Sequence, residues 1–299
     1  MRTFSRGMAL AVLVCGSAAY ADRNDFRITD LGNPAVDPEA NTDFRAFART
    51  FAAVMTSANL MPPETLGHAG FSLNAELSVI GLPTPGREDG QVTLPTEGSP
   101  TNPLLIPSVH VRKGLPFSFE LGARVGWIDR SDMFTATGEL KWAVNEGFTW
   151  LPDIAVRLHV TRLMGNKDFD LTAGGLDFGV GKQFPLGGMV TLTPYGGLDL
   201  TGVAASTDTL DFNQSRTRGD TTDPGSPTRP ANPYAGLDNT GVYREVKLGE
   251  NINSRLYGGV RFIGGALQLG AEVSLSNQGF IETTRLNDEG EPVNRALPA

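Results

Sequence analysis

Phe117-Ser118-Phe119-Glu120-Leu121-Gly122-Ala123-Arg124-Val125-Gly126-Trp127 is the stretch on which the fold turns. Its odd positions, Phe117, Phe119, Leu121, Ala123, Val125 and Trp127, are apolar, and its even positions carry Ser118, Glu120, Gly122, Arg124 and Gly126. Successive side chains of a β-strand point to opposite faces, so this run is a ribbon with one apolar and one polar face. The alternation recurs on both sides of it. Upstream, residues 71–79 set Phe71, Leu73, Ala75, Leu77 and Val79 against Ser72, Asn74, Glu76 and Ser78, and residues 105–111 repeat the pattern. Downstream it returns in 134–144, 154–160, 169–180, 190–200, 255–262 and 267–275. Within 169–180 the apolar positions change parity near Gly174-Gly175, which predicts a bulge. Residues 242–248 form a weaker tenth candidate.

A soluble sandwich also alternates, but it hides its apolar face in a core of limited area. In a membrane barrel the apolar face meets lipid, and segments of about ten residues alternate with polar interior positions. Several runs here are that long, well above the five or six residues usual in soluble sheets. Short turns near 113–116, 165–167, 185–188 and 264–265 mix with two long polar connections, 84–102 and 206–241. The expected fold is therefore all-β, an antiparallel transmembrane β-barrel of about ten strands, with eight as the alternative because the count must be even.

One segment departs from period 2. In residues 42–59, Phe44, Phe47, Ala48, Phe51, Val54, Met55 and Ala58 recur at helical spacing, with Arg45 and Arg49 on another face. Thr42 or Asp43 is the expected N-cap, and Pro62-Pro63 the terminator. This amphipathic helix is expected to pack on the main domain, to plug a barrel, or to lie on a membrane surface; the residues leave the three open.

The remaining features restrict class and compartment. Thirty-six Gly and 20 Pro in 299 residues argue against a helical bundle. Arg2 and Arg6, the apolar run 7–15 and Ala19-Tyr20-Ala21 have the form of a secretory signal cleaved after Ala21. No apolar run is long enough for a spanning helix. Losing Arg2 and Arg6 would take the formal charge from −8 to −10. With no basic run, no nucleic-acid partner is expected. Cys15, the single cysteine, would leave with the signal. The resulting division is 1–21 signal peptide, 22–66 leader and helix, 67–280 barrel and 281–299 C-terminal tail.

These strands, with Gln268-Leu269-Gly270-Ala271-Glu272-Val273-Ser274-Leu275 near the end, make the chain resemble the small β-barrel proteins of Gram-negative outer membranes. Gln268, Gly270, Val273 and Leu275 look like the final-strand signal that the barrel assembly machinery reads in that family. Such a signal normally closes the chain, whereas here residues follow it: either the strand ends at Phe280 after a bulge at Gly279, or a further strand lies in 280–286. The resemblance implies a cell outer membrane location, with outer-membrane lipid, lipopolysaccharide and the assembly machinery as partners.

With the apolar face toward lipid, the polar face puts Glu76, His110, Arg112, Glu120, Arg124, Glu139, Lys141, Arg157, His159, Asp170, Asp177, Asp199, Arg255, Arg261 and Glu272 inside. Both signs are present, and buried charges must pair because isolated ones are very costly. A salt-bridged interior is the expected use of these residues. No Gly-x-Ser-x-Gly elbow, His-Glu-x-x-His pair or phosphate-binding loop is present, and the three histidines are scattered. The expectation is a non-enzyme without cofactor or metal, a scaffold or surface-presenting barrel with a plugged or narrow lumen. A small pore or uptake channel for hydrophilic or amphipathic solutes is the second expectation. A secreted soluble β-sandwich or lipocalin-like binding protein is the third.

Overall fold

A computed structural model of the chain describes residues 23–37, 39–56, 59–82, 94–98, 100–187, 190–212, 240–265, 267–277, 280–286 and 292–298. The expected signal peptide with Cys15, Ala58 of the helical stripe, and much of the long connection before β10 lie outside these residues.

The helix is α1, Glu39–Met55, with 17 residues. It starts three residues before the expected caps because Asp37 holds the start: its carboxylate accepts from the Glu39 amide at 2.9 Å. It closes where the Thr56 hydroxyl turns back to the Ala52 carbonyl at 2.7 Å. Phe44, Phe47 and Phe51 are fully buried with Ala48 and Ala52, as the stripe demands.

The strands are β1 Phe71–Ile80, β2 Leu104–Leu115, β3 Phe119–Trp127, β4 Phe134–Asn145, β5 Asp153–Met164, β6 Phe169–Gly181, β7 Phe184–Leu186, β8 Val190–Thr207, β9 Leu210–Asp211, β10 Thr240–Gly241, β11 Ile252–Gly264, β12 Leu267–Asn277, β13 Phe280–Leu286 and β14 Pro292–Pro298. Nine of them form one curled antiparallel sheet in the order β1-β2-β3-β4-β5-β6-β8-β11-β12, with short β7 hydrogen-bonded to β8. β9 pairs β10, and β13 pairs β14, outside it. Among the described residues β1 and β12 do not pair with each other.

The connections sort by end. Residues 116–118, 146–152, 182–189 and 265–266 link strands at one end, the turn end. Residues 81–103, 128–133, 165–168 and 208–251 link them at the other, the loop end, so both long polar connections leave and rejoin the sheet at that end.

The sheet's two faces are the reverse of those of a soluble protein. On the outer face Phe71, Leu73, Leu121, Val125, Leu140, Leu158, Phe178 and Leu256 are exposed, Leu73 by 64%. On the inner face His110, Arg112, Asp177 and Asp199 are buried, His110 completely. The apolar core cluster lies near the loop end: Leu104, Ile106, Ile128, Met133, Leu163, Phe169, Leu171, Val203 and Ala205 close around the α1 phenylalanines and Phe26.

That apolar cap corrects three expectations. No bulge exists at Gly174-Gly175, since β6 stays in continuous register with β5 through both residues. The apparent change of parity is a change of interior. Phe169, Leu171 and Ala173 point inward to the cap, and further along the same face Asp177 points into the ionic region, while Leu176, Phe178 and Val180 point out. Asp170 therefore faces outward, in an exposed ion pair with Arg162 at 2.7 Å. Residues 242–248 are not a strand of the sheet. Above Gly202, where β11 begins its pairing, they cover the free edge of β8 through one bridge, Val246 to Ala205, with Tyr243 buried beneath. At the C-terminal side the second expectation holds: residues 280–286 form a further strand, β13.

Candidate functional site

The interior of the curled sheet is occupied by the chain's own N-terminal region, and the inner face of β11 shows how. Counting down the strand, Asn251 just before it accepts from Arg45 Nε at 2.6 Å, Asn253 donates to the Arg49 carbonyl at 2.9 Å, and Arg255 reaches Thr56 Oγ1 at 2.5 Å. Next, Tyr257 Oη meets Asn59 Nδ2 at 3.5 Å, and Arg261 forms an ion pair with Glu64. Inward positions of one strand thus meet residues 45 to 64 in order. A strand advances about 3.3 Å per residue, so this ladder runs roughly 30 Å along the interior.

Beyond the helix, residues 59–66 form an irregular thread held by side chains from most of the wall. Its amides at Asn59 and Leu60 donate to the Glu272 carboxylate at 3.1 and 2.8 Å, and its amide at Leu66 donates to Glu120 at 3.0 Å. Arg112 donates to the Asn59 carbonyl at 2.8 Å, and Lys141 to the Glu64 carbonyl at 3.0 Å. A segment outside helix and sheet leaves its backbone groups without ladder partners, and here wall side chains bind several of them.

Around the thread, the wall ions pair with each other. His110 sits between Glu76 at 2.9 Å and Glu139 at 3.2 Å, and Arg124 reaches the same two carboxylates at 3.1 and 3.6 Å. Arg157 bridges Glu139 at 3.3 Å and Asp177 at 2.9 Å. Asp177 also accepts from Tyr257 Oη at 2.6 Å and from Asn59 Nδ2 at 3.1 Å. Lys141 pairs with Glu120 at 2.9 Å, and His159 with Asp199 at 2.9 Å. So Glu76, Glu120, Arg124, Glu139, Lys141, Arg157, His159, Asp199, Arg255, Arg261 and Glu272 all lie on the inner face, the first six within chains of direct contacts and Glu272 on the thread. Each carboxylate named is engaged by a cation, a hydroxyl or an amide, so the arrangement fixes a conformation.

Sequence reasoning missed several residues that join the leader and the wall. Asn251, Asn253, Tyr257 and Thr193 fall at the inward parity of their strands, a signal that was available. Asn59, Glu64 and Glu146 sit in non-periodic segments and gave none. Small residues make room for the inward aromatics: a Cβ on Gly197 would lie 2.6 Å from Tyr257 Cζ, and one on Gly259 would lie 2.6 Å from Tyr195 Cζ.

Both ends of the leader are tied. At the turn end Glu146 accepts from the Thr65 amide at 2.7 Å and from its hydroxyl at 2.9 Å. Burial alone would raise the Glu146 carboxyl, but hydrogen bonds from Ser118 and Thr65 and the nearby Lys141 hold it below the usual range. At the loop end Tyr243 Oη donates to the carbonyls of Ile28 at 3.0 Å and Gly32 at 2.6 Å. Burial, with Asp43 and Asp30 nearby, pushes that phenol up.

The four residues that look like an assembly signal in the sequence, Gln268, Gly270, Val273 and Leu275, lie on β12, the last strand of the curled sheet. No protein-family model, no curated protein and no solved structure matches the chain.

Proposed function

We propose that the protein is an integral outer-membrane β-barrel, a scaffold or surface-presenting protein whose lumen is filled by its own leader. One observation carries the reading: the apolar side chains are on the outside of the sheet and the ionic ones are buried inside. In water that partition leaves a large apolar surface uncovered, whereas in a bilayer it is the favoured arrangement. An apolar groove of about 500 Å³ on the outer face, around Gly138 and lined by Val111, Leu121, Leu140 and Leu158, has the chemistry of a lipid-chain contact. A bilayer also requires both sheet edges to be paired. In a nine-strand antiparallel path β1 and β12 run the same way, so closure needs one more strand. Among the described residues β13 pairs β14 and neither edge of the sheet, so closure would require residues 280–286 to leave β14 and join β12 and β1. Gln268, Gly270, Val273 and Leu275 then act as the signal for the assembly machinery, with outer-membrane lipid and lipopolysaccharide as surroundings.

Heat-modifiability tests this. The unboiled protein from a detergent-extracted outer-membrane fraction should migrate as a compact band on SDS gels and shift on boiling. Recovery in the soluble periplasmic fraction with no shift would refute the reading and favour the soluble binding protein.

A second reading is a pore closed at rest. What favours it is that the wall ions around residues 59–66 pair among themselves, so withdrawal of the thread would leave a polar, hydrated passage. Against it stands the phenylalanine cap at the loop end. Stepwise conductance in planar bilayers by the intact protein would favour the pore; electrical silence would favour the scaffold.

A further inference from the structure

The leader is anchored at the end opposite to the one at which β1 begins. Asn24 donates through its amide to the Arg130 carbonyl at 3.0 Å, and through its side chain to the Asp129 carbonyl at 2.6 Å. Asp25 accepts from the Asp132 amide at 3.0 Å, Arg27 donates to the Pro95 carbonyl at 2.7 Å, and Phe26 forms a bridge with Thr96. Tyr243 fastens Ile28 and Gly32 from a third loop-end connection. At the other extreme, Thr65 and Leu66 are bound to Glu146 and Glu120, and the Gly114 amide at the turn end of β2 donates to Gly70. Between these anchors the chain follows the β11 ladder through the whole interior. The leader therefore crosses the molecule once, from loop end to turn end, before β1 crosses it again.

We infer that residues 23–37 are displayed on the outer surface of the cell, on a leader that traverses the barrel lumen. This rests on the membrane reading above. In outer-membrane barrels the longer connections face outward and the short turns face the periplasm, and the leader's start is woven into the longer ones. Among the described residues, the surface made by 23–37 and by 94–98, 128–133 and 243–246 is then one that the environment meets. Among the described residues of 23–277, the periplasm meets the turns and Thr65 to Gly70.

Single-cysteine labelling tests the orientation, and the sequence suits it because Cys15 is its only cysteine. In a Cys15→Ser background, Val36→Cys reports the loop end and Trp150→Cys the turn end; these positions are 64% and 94% exposed. With a membrane-impermeant maleimide, Val36→Cys should label fully in intact cells, and Trp150→Cys only after the outer membrane is permeabilised. Phe117→Cys, in another turn and 88% exposed, should behave as Trp150→Cys does. Val36→Cys protected until permeabilisation, or labelled together with the turn-end sites, would overturn the inference while leaving heat-modifiability, and so the membrane reading, intact. A protein recovered in the soluble fraction would fail the membrane reading instead.

The crossing itself is tested by a staple. A Cβ on Gly179 of β6 would lie 4.0 Å from Pro63 Cβ, within the usual span of a disulfide. Pro63→Cys with Gly179→Cys should therefore oxidise to an internal crosslink that changes migration of the boiled, unreduced chain. Each single variant should retain the heat-modifiable band and give no crosslink. A double variant that keeps the band but does not crosslink would place the thread elsewhere and overturn the crossing.

Discussion

Leu140→Arg separates a lipid-facing outer surface from a water-facing one. Leu140 is the seventh of the 12 residues of β4 and lies in a row between Leu121 of β3 and Leu158 of β5. At about 3.3 Å per residue and a tilt of about 40°, it stands roughly 15 Å in height from one end of the strand and roughly 13 Å from the other. That is the middle of a hydrocarbon layer about 30 Å thick. An arginine at this depth is expected to cost about 2–4 kcal/mol, or roughly 30- to 700-fold in the folding equilibrium. On a water-exposed surface the same change would stay within about 0.5 kcal/mol. Trp150→Arg is the control, because Trp150 is 94% exposed in the connection beyond the end of β4. The assay is denaturant titration of each variant folded into phospholipid vesicles. If Leu140→Arg and Trp150→Arg both fall within about 0.5 kcal/mol of the parent, the outer face does not meet hydrocarbon and the reasoning fails.

Three other outcomes are expected. Glu120→Gln leaves Lys141 buried without its counter-charge and should destabilise by about 3–5 kcal/mol, much of it recovered by adding Lys141→Met, as measured in the same titration. Phe47→Ala empties a site packed against Phe26, Phe51 and Phe169 and should cost about 3–5 kcal/mol; hydrogen exchange should show α1 losing protection first. Glu146 holds Thr65 with a carboxyl whose folded pKa lies below its unfolded one. Its contribution is complete above the unfolded value and is lost as pH falls through the folded value. Proteolysis within 65–70 should therefore rise on acidification, and Glu146→Gln should flatten that dependence.

Much of the sheet could be read from period 2 alone, because an inside-out ribbon alternates as cleanly as a soluble one and its strands are longer. The ionic residues were legible for the same reason: parity assigns a face, and a buried face with both signs must pair. Parity misled where the interior changed chemistry. In β6 the inward residues are Phe169, Leu171 and Ala173 beside the helix but Asp177 beside the thread, and a composition rule reads that as a bulge. In 242–248 Val242, Val246 and Leu248 share a parity as strand residues do, yet the edge available to them on β8 is only a few residues long. The thread 59–66 was invisible, since its Pro62-Pro63 breaks any periodicity and its partners are up to 213 residues away.

The β11 ladder also sets an order of events. Arg45 and Asn251 are separated by 206 positions, and Arg49 and Asn253 by 204. The leader is made before any strand, but most of its polar partners on the far wall are made last. It must stay undocked while eight strands are synthesised, and contacts of such long range form slowly. The segment is thus the first to be made and among the last to find its place, and the curling of the sheet and the docking of the leader become one event: the leader serves as the mandrel around which the final strands are wound.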